Sequence, residues 1–262
     1  MNLSLEGKKA IVCGSTDGIG KASAIMMAER GAKITLVARN ENKLNTTMLE
    51  LSQEQGQKHS FISVDFNNPD ELKQKIYVYF DQVVYQVHIW VNNSGDPHGG
   101  QLIDAGRDEF RIVFERLLIC YQVMARKNVP WMIELGTGRI INIISTSVRQ
   151  VIPGLGVSNT IRGAVAQWAK TLALELGPDG ITINNILPGY TNTDRLKELL
   201  EKWADNAGVS YDEMVDSIAN KTSMRRIGEP QEIAYAVAFL ASAAASYINS
   251  TDFSIDGGRF GA

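Results

Sequence analysis

Short runs rich in Val and Ile alternate along this chain with longer segments in which apolar residues return every three or four positions. Lys9–Gly14, Lys33–Ala38, Phe61–Phe66, Ile89–Asn93, Arg139–Ile144 and Ile181–Leu187 are short, apolar and bounded by turn or polar residues, the pattern of strands buried on both faces. Thr251–Asp256 reads as a closing seventh strand. Between them lie helical patterns. Ile19, Ala22 and Met26 form one stripe, with Gly31 as its stop. Ile161, Val165, Trp168, Leu172 and Leu176 form another, at spacings of four, three, four and four. Pro230 suits the first turn of a last helix. Strand–helix alternation of this kind predicts an α/β fold: a parallel sheet of about seven strands, with helices on both faces and right-handed crossovers. No tandem repeat, low-complexity tract or Pro/Gly/Ser-rich linker divides the chain, so residues 1–262 are expected to form one domain.

Composition narrows the function classes. The chain has 262 residues, 44% hydrophobic and 21% charged, with a net charge of −3 and dispersed basic residues. Nothing in that distribution points to nucleic acid or to an anionic membrane. The first nine residues hold no apolar signal core, and the Ala-rich stretch from Ala234 to Ala245 is too short to span a bilayer. Cys13 and Cys120 fall in a strand and a helix, which suits a reducing compartment better than a disulfide framework. The expectation is a cytoplasmic protein without a metal site.

The first strand runs into Gly14-Ser15-Thr16-Asp17-Gly18-Ile19-Gly20, and a helix follows. Three glycines there allow a tight turn, a close backbone approach to phosphate and close helix–strand packing, while the helix N-terminus offers free N–H groups to a pyrophosphate. Gly-x-x-x-Gly-x-Gly in that context resembles the fingerprint of the short-chain dehydrogenase/reductases. Further motifs follow in the family's order: Asp65 after the third strand, Asn92-Asn93-Ser94-Gly95 after the fourth, Gly138–Ile143 as the fifth, Pro188-Gly189 with Thr193, Arg226-Ile227-Gly228-Glu229-Pro230 and Asp256-Gly257-Gly258. The resemblance covers nearly the whole chain and is strongest to the 3-oxoacyl-carrier-protein reductases. It implies a Rossmann-type doubly wound sheet binding a nicotinamide dinucleotide through Gly14 to Gly20, Asp65, Phe66, Asn92, Ser94, Gly95, Arg162, Pro188, Gly189, Thr191 and Thr193. At the end of the second strand, an acidic residue would favour NAD. Ala38 stands there, followed by Arg39, whose guanidinium is shaped for a 2′-phosphate. The cofactor expected is therefore NADP(H), although a solvated surface arginine would look the same.

The catalytic pattern departs from the family. A serine, a Tyr-x-x-x-Lys pair and a helical asparagine are what the resemblance implies. Ser145 matches the serine, but Ser158 stands for the tyrosine, Arg162 for the lysine and Leu117 for the asparagine. A phenol has a pKa of about 10, which a nearby cation brings within reach of neutrality; an alcohol is far weaker as an acid. Arg162 keeps the positive field and cannot relay a proton. Two other residues are candidate acids: Tyr190, which also fits as a packing residue, and His98, which also fits as a polar group on the surface loop after the fourth strand.

Residues 193–223 match the family's substrate lid, and Leu196, Leu199, Leu200 and Trp203 oppose Lys197, Glu198, Glu201 and Lys202. Arg225 and Arg226 could meet an acidic substrate, but Arg226 matches a position that is structural in the family. Ala164, Ala169 and Ala173 beside Trp168 give the Ile161–Leu176 helix a second apolar side, which with the resemblance implies a homo-oligomer, a tetramer. Two functions remain open. One is an NADP(H)-dependent oxidoreductase acting on a small carbonyl or alcohol through Ser145, Ser158 and Arg162. The other is a catalytically silent NADP-binding protein that senses cofactor or serves in assembly.

Overall fold

A computed structural model describes residues 2–82, 86–95 and 97–260. Seven parallel strands make one sheet: β1 (Lys9–Cys13), β2 (Lys33–Ala38), β3 (Ser60–Ser63), β4 (Ile89–Asn92), β5 (Gly138–Ile143), β6 (Ile181–Pro188) and β7 (Asp252–Ile255), in the order β3-β2-β1-β4-β5-β6-β7. The order reverses at β1, so a crevice opens at the carboxyl ends of β1 and β4, where α/β sheets bind ligands. Among the described residues, the helices are α1 (Gly18–Glu29), α2 (Glu41–Leu49), α3 (Pro69–Gln82), α4 (Arg107–Phe114), α5 (Cys120–Leu135), α6 (Gly156–Leu176), α7 (Asp194–Ala207), α8 (Tyr211–Ala219) and α9 (Pro230–Ala241). None of them is long and apolar enough to cross a membrane.

The third strand is shorter than its Phe61–Phe66 pattern predicts. β3 lies at the sheet edge and pairs only with Thr35–Ala38 of β2. The Val64 N–H still reaches the Ala38 carbonyl at 2.9 Å, after which β2 has ended and Asp65 turns the chain by accepting from the Asn67 N–H at 2.9 Å.

Side chains alternate across the sheet as a two-residue period requires. Ile11 and Cys13 of β1 join Trp90, Ile140 and Ile183 in a core under α3, α5 and α6, whereas Ala10 and Val12 join Leu36, Val91 and Ile141 under α1 and α9. Trp90 is fully buried, edge-on to Tyr121 and Trp168 at centroid distances of 6.4 Å each. The α1 stripe meets two neighbours. Ile19, half-buried, packs on the sheet-facing core that holds Ala24, Met27 and Ala28. Ala22 and Met26 pack on Ala234 and Ala238 of α9. The stripe is helical as its period predicts, and α9 covers part of it.

A polar ladder braces the half of the sheet beneath the crevice. Asn92, Asn142, Asn185 and Asp252 occupy paired positions on β4 to β7. Each asparagine amide donates to the next side chain, at 2.7, 2.9 and 2.9 Å, and Lys170 of α6 closes the row on Asp252 at 2.6 Å. Buried amides without partners would be costly, so the ladder ties down the strand ends from which the site loops depart.

Candidate active site

At the first strand–helix turn, the backbone itself forms the cradle. A Cβ on Gly20 would strike the Gly14 carbonyl oxygen, and one on Gly14, whose φ is +58°, would strike the Asn93 carbonyl oxygen. The Asn93 amide fastens the turn by donating to the Gly14 carbonyl at 3.1 Å. A Cβ on Gly18 would lie 2.9 Å from Thr193 Cγ2. The α1 N-terminus has no side-chain cap and no acid in its first turn, so its N–H groups and positive dipole end face the crevice unopposed. This cradle fits a dinucleotide pyrophosphate. Ser15 is fully buried and its Oγ accepts from the Val37 N–H at 3.1 Å, which makes its side chain a brace; Asp17 is exposed and paired with Lys43 at 2.9 Å. Lys43 was not anticipated from sequence.

Beside the cradle lies a cleft of about 190 Å³, between the ends of β4, β5 and β6 on one side and α6 and α7 on the other. It brings together Ile19, Ser94, Ser145, Ser158, Arg162, Pro188, Gly189, Tyr190, Thr191 and Thr193 of the expected residues. Ser145 caps the short 3-10 turn Thr146–Val148, its Oγ accepting from the Ser147 N–H at 3.1 Å. Ser158 and Arg162, one turn apart on α6, are both buried. Arg162 Nε donates to Ser158 Oγ at 3.2 Å and Nη1 to the Ile144 carbonyl at 2.7 Å. Both serine hydroxyls therefore have an acceptor position filled by an N–H group, and their own hydrogens remain to be donated. The loops are aligned by backbone bonds from Gly100 to Gly154 and from Gly156 to Gly100, at 2.7 and 3.0 Å.

Other expected residues lie elsewhere. Arg39 is exposed at the end of β2 and forms no ion pair among the described residues. Asp65 closes its turn, and the Phe66 ring is in the core. Asn92 is fully buried in the ladder, so its side chain serves the sheet. Gly95 and His98 are exposed and do not line the cleft. Leu117 sits in a π-helical turn, Glu115–Ile119, between α4 and α5, with its side chain in the core. Tyr190 lines the cleft, where its ring lies 3.8 Å from the Arg259 guanidinium, and burial raises its pKa. Ser94 Oγ lies 3.0 Å from the hydroxyl of Tyr121, whose pKa burial also raises.

Sequence reasoning missed the outer wall. Ile152, Leu155, Leu199 and Trp203 supply apolar surface, and Arg195 and Arg259 supply charge. The α7 pattern had put Leu199 and Trp203 on one face, but nothing in it showed that this face meets the segment before α6. Arg226 is held by Glu232 through bonds of 2.6 and 2.7 Å, which pull that carboxyl down to about 2. Burial pushes the Cys13 and Cys120 thiols up to about 12, so neither is a nucleophile near neutrality. No group of three or more His, Cys, Asp or Glu among the described residues could hold a metal.

Residues 14–259 match the family model described as enoyl-(acyl carrier protein) reductase. The chain is 30% identical over 260 residues to a 3-oxoacyl-[acyl-carrier-protein] reductase of Vibrio cholerae, covering 98% of this chain and 99% of the relative. It is 32% identical over 257 residues to a probable tetrahydroxynaphthalene reductase of Zymoseptoria tritici, covering 97% and 94%. The solved L-sorbose reductase of Gluconobacter frateurii, in complex with NADPH and L-sorbose, superposes with a TM-score of 0.93 at 28% identity over all of both chains.

Proposed function

The chain belongs to the short-chain dehydrogenase/reductase family of oxidoreductases, and from that premise we propose that it uses NADP(H) to interconvert a small carbonyl compound and its alcohol through Ser145, Ser158 and Arg162. One observation carries the reading. Two serine hydroxyls in the cleft, each with an N–H on its acceptor side, adjoin a glycine cradle that no side chain could enter.

When bound, the nicotinamide supplies a hydride to the carbonyl carbon. The protein's part is to hold the oxygen on which charge develops. Ser145 and Ser158 donate to that oxygen, and Arg162, fixed by the Ile144 carbonyl, keeps a positive field behind Ser158. Such preorganised donors are each worth on the order of a hundredfold to a thousandfold in rate. Neither a serine nor water matches the acidity of the family tyrosine, so protonation of the alkoxide is slow: solvent water gives up the proton, and the hydroxide left behind is neutralised in bulk. Tyr190, protonated at neutral pH, also lines the cleft; His98 does not.

The cradle from Gly14 to Gly20 would receive the pyrophosphate. Asp65, Phe66, Asn92, Ser94 and Gly95 would flank the adenosine side through loop backbone, and Pro188, Gly189, Thr191 and Thr193 the nicotinamide side. Ala38 offers no carboxylate to a ribose 2′-hydroxyl, while Arg39 is unpaired among the described residues and Lys43 stands close by on α2. NADPH should therefore bind tighter than NADH. Residues 193–223, which form α7 and α8 over a small apolar cluster, act as the substrate lid of a single domain. Exposed Ile112, Phe114 and Leu174 suit a homotetramer, which light scattering would report. Fluorescence titration of both reduced cofactors tests the assignment: Arg39→Ala should lower NADPH affinity about tenfold to a hundredfold and leave NADH unchanged. Equal wild-type affinities for the two cofactors contradict it.

A further inference from the structure

The outer wall of the cleft carries two guanidiniums that the proposed reaction does not use. Arg195, in the first turn of α7, reaches the Pro97 carbonyl with Nη2 at 3.2 Å, and among the described residues its carboxylate partner is solvent-facing Glu198, 3.4 Å away. An exposed pair of that length neutralises little. Its Nε is buried without a hydrogen-bond partner. Arg259 is half-buried and stacks on Tyr190 and Phe260, with ring centroids at 3.8 and 4.6 Å. The neighbouring acid, Asp256, is engaged by the backbone N–H groups of Gly258 and Phe260 at 3.0 and 3.2 Å. Among the described residues, Arg259 forms no ion pair, and no Asp or Glu lines the cleft. Burial lowers the pKa of Arg259, the mark of a cation without adequate compensation.

Cations held by stacking, by a carbonyl and by one long surface ion pair have room for a further anion. The rest of the wall is apolar: Leu155, Leu199 and Trp203. We propose that the substrate is a keto acid: its carbonyl faces the serines, its hydrocarbon body lies on the apolar wall, and its carboxylate is bound by Arg195 and Arg259. A carboxylate matches the planar fork of a guanidinium. This rests on the reading of the cleft as the substrate site of a carbonyl reductase.

The test uses the full-length protein saturated with NADP+, so that binding is measured without turnover. Benzoylpropionate, levulinate and phenylpyruvate are titrated against their methyl esters by calorimetry, with the fluorescence of cleft-lining Trp203 as a second signal. The expected result is that at least one acid binds at least tenfold tighter than its ester. Arg195→Gln and Arg259→Gln should each reduce that preference about tenfold, the loss expected for one charge-assisted bond. The double variant should abolish it, while Arg30→Gln, an exposed control at the C-cap of α1, retains it. Acids binding no better than esters, or a preference that survives the double variant, overturns the proposal. So does a loss of NADPH affinity in place of the acid preference, which would assign the guanidiniums to the cofactor. A larger gain for dihydroxyacetone phosphate over dihydroxyacetone than for acid over ester would overturn the carboxylate assignment in favour of phosphate. Charge-dependent binding without NADPH consumption on any carbonyl refutes the reductase reading alone; consumption without acid preference refutes the keto acid alone.

Discussion

The two ends of the crevice are built by different means. At the nucleotide end the shape is made of backbone: Gly14, Gly18 and Gly20 leave no room for a Cβ, and the side chains around them act as braces. At the substrate end the surface is made of side chains drawn from the loops after β4 and β5, from α6 and α7, and from the C-terminal turn. The first arrangement tolerates almost no change at Gly14 and Gly20, because an added atom there meets a carbonyl. The second is open to exchange of one chemistry for another, and the proposed reading places Ser158 and Arg162, on α6, where the resemblance implies a tyrosine and a lysine. A fold can thus keep its cofactor cradle while its reaction changes.

The sharpest way to break this comparison is at the cradle. Gly20→Val places a branched side chain against the Gly14 carbonyl and should abolish measurable NADPH binding in a fluorescence titration. A variant that bound within tenfold of wild type would show that the turn yields as readily as the side-chain wall. At the substrate end, Arg162→Met should be milder. It leaves the Ile144 carbonyl and Ser158 without their donor, at a cost of about 1–3 kcal/mol for a buried unsatisfied acceptor. Denaturant unfolding of both proteins measures that loss, and no change would mean that Arg162 is held only loosely.

A smaller effect lies outside both ends. The His88 ring accepts from the Lys9 N–H through Nδ1 at 3.2 Å, and burial brings its pKa down from 6.5 to about 4. The folded protein resists protonating this ring where the unfolded chain does not. Its contribution to stability is therefore present above pH 6.5 and lost as the pH falls towards about 4. Thermal unfolding between those values should show wild type losing more stability than His88→Gln; parallel curves would exclude His88 as the cause.

How much of this was legible in the sequence follows the same division. The strands, their alternation with helices and the glycine turn are local patterns, and they were placed correctly except where an edge strand ran out of partner at Ser63. Ser145, Ser158 and Arg162 could be located from their spacing to the motifs around them, and the cleft brings them together. The Asn92–Asn142–Asn185–Asp252 ladder was invisible, since it exists only once the register of four strands is set. Arg195 and Arg259 are 64 residues apart and meet only because α7 and the C-terminal turn both border the same cleft. No local pattern encodes that convergence.

The central claim is that a cleft without the family's tyrosine and lysine still catalyses reduction by holding the carbonyl oxygen with serine hydroxyls. The most direct measurement compares wild type with Ser145→Ala for NADPH consumption, by absorbance, and for NADPH affinity, by fluorescence. The substrates are the keto acids and neutral carbonyls named above. The account predicts slow but measurable consumption by wild type, a loss on the order of a hundredfold or more in Ser145→Ala, and equal NADPH affinity in both proteins. Tight NADPH binding by wild type without any consumption, or consumption that Ser145→Ala leaves unchanged, would contradict it.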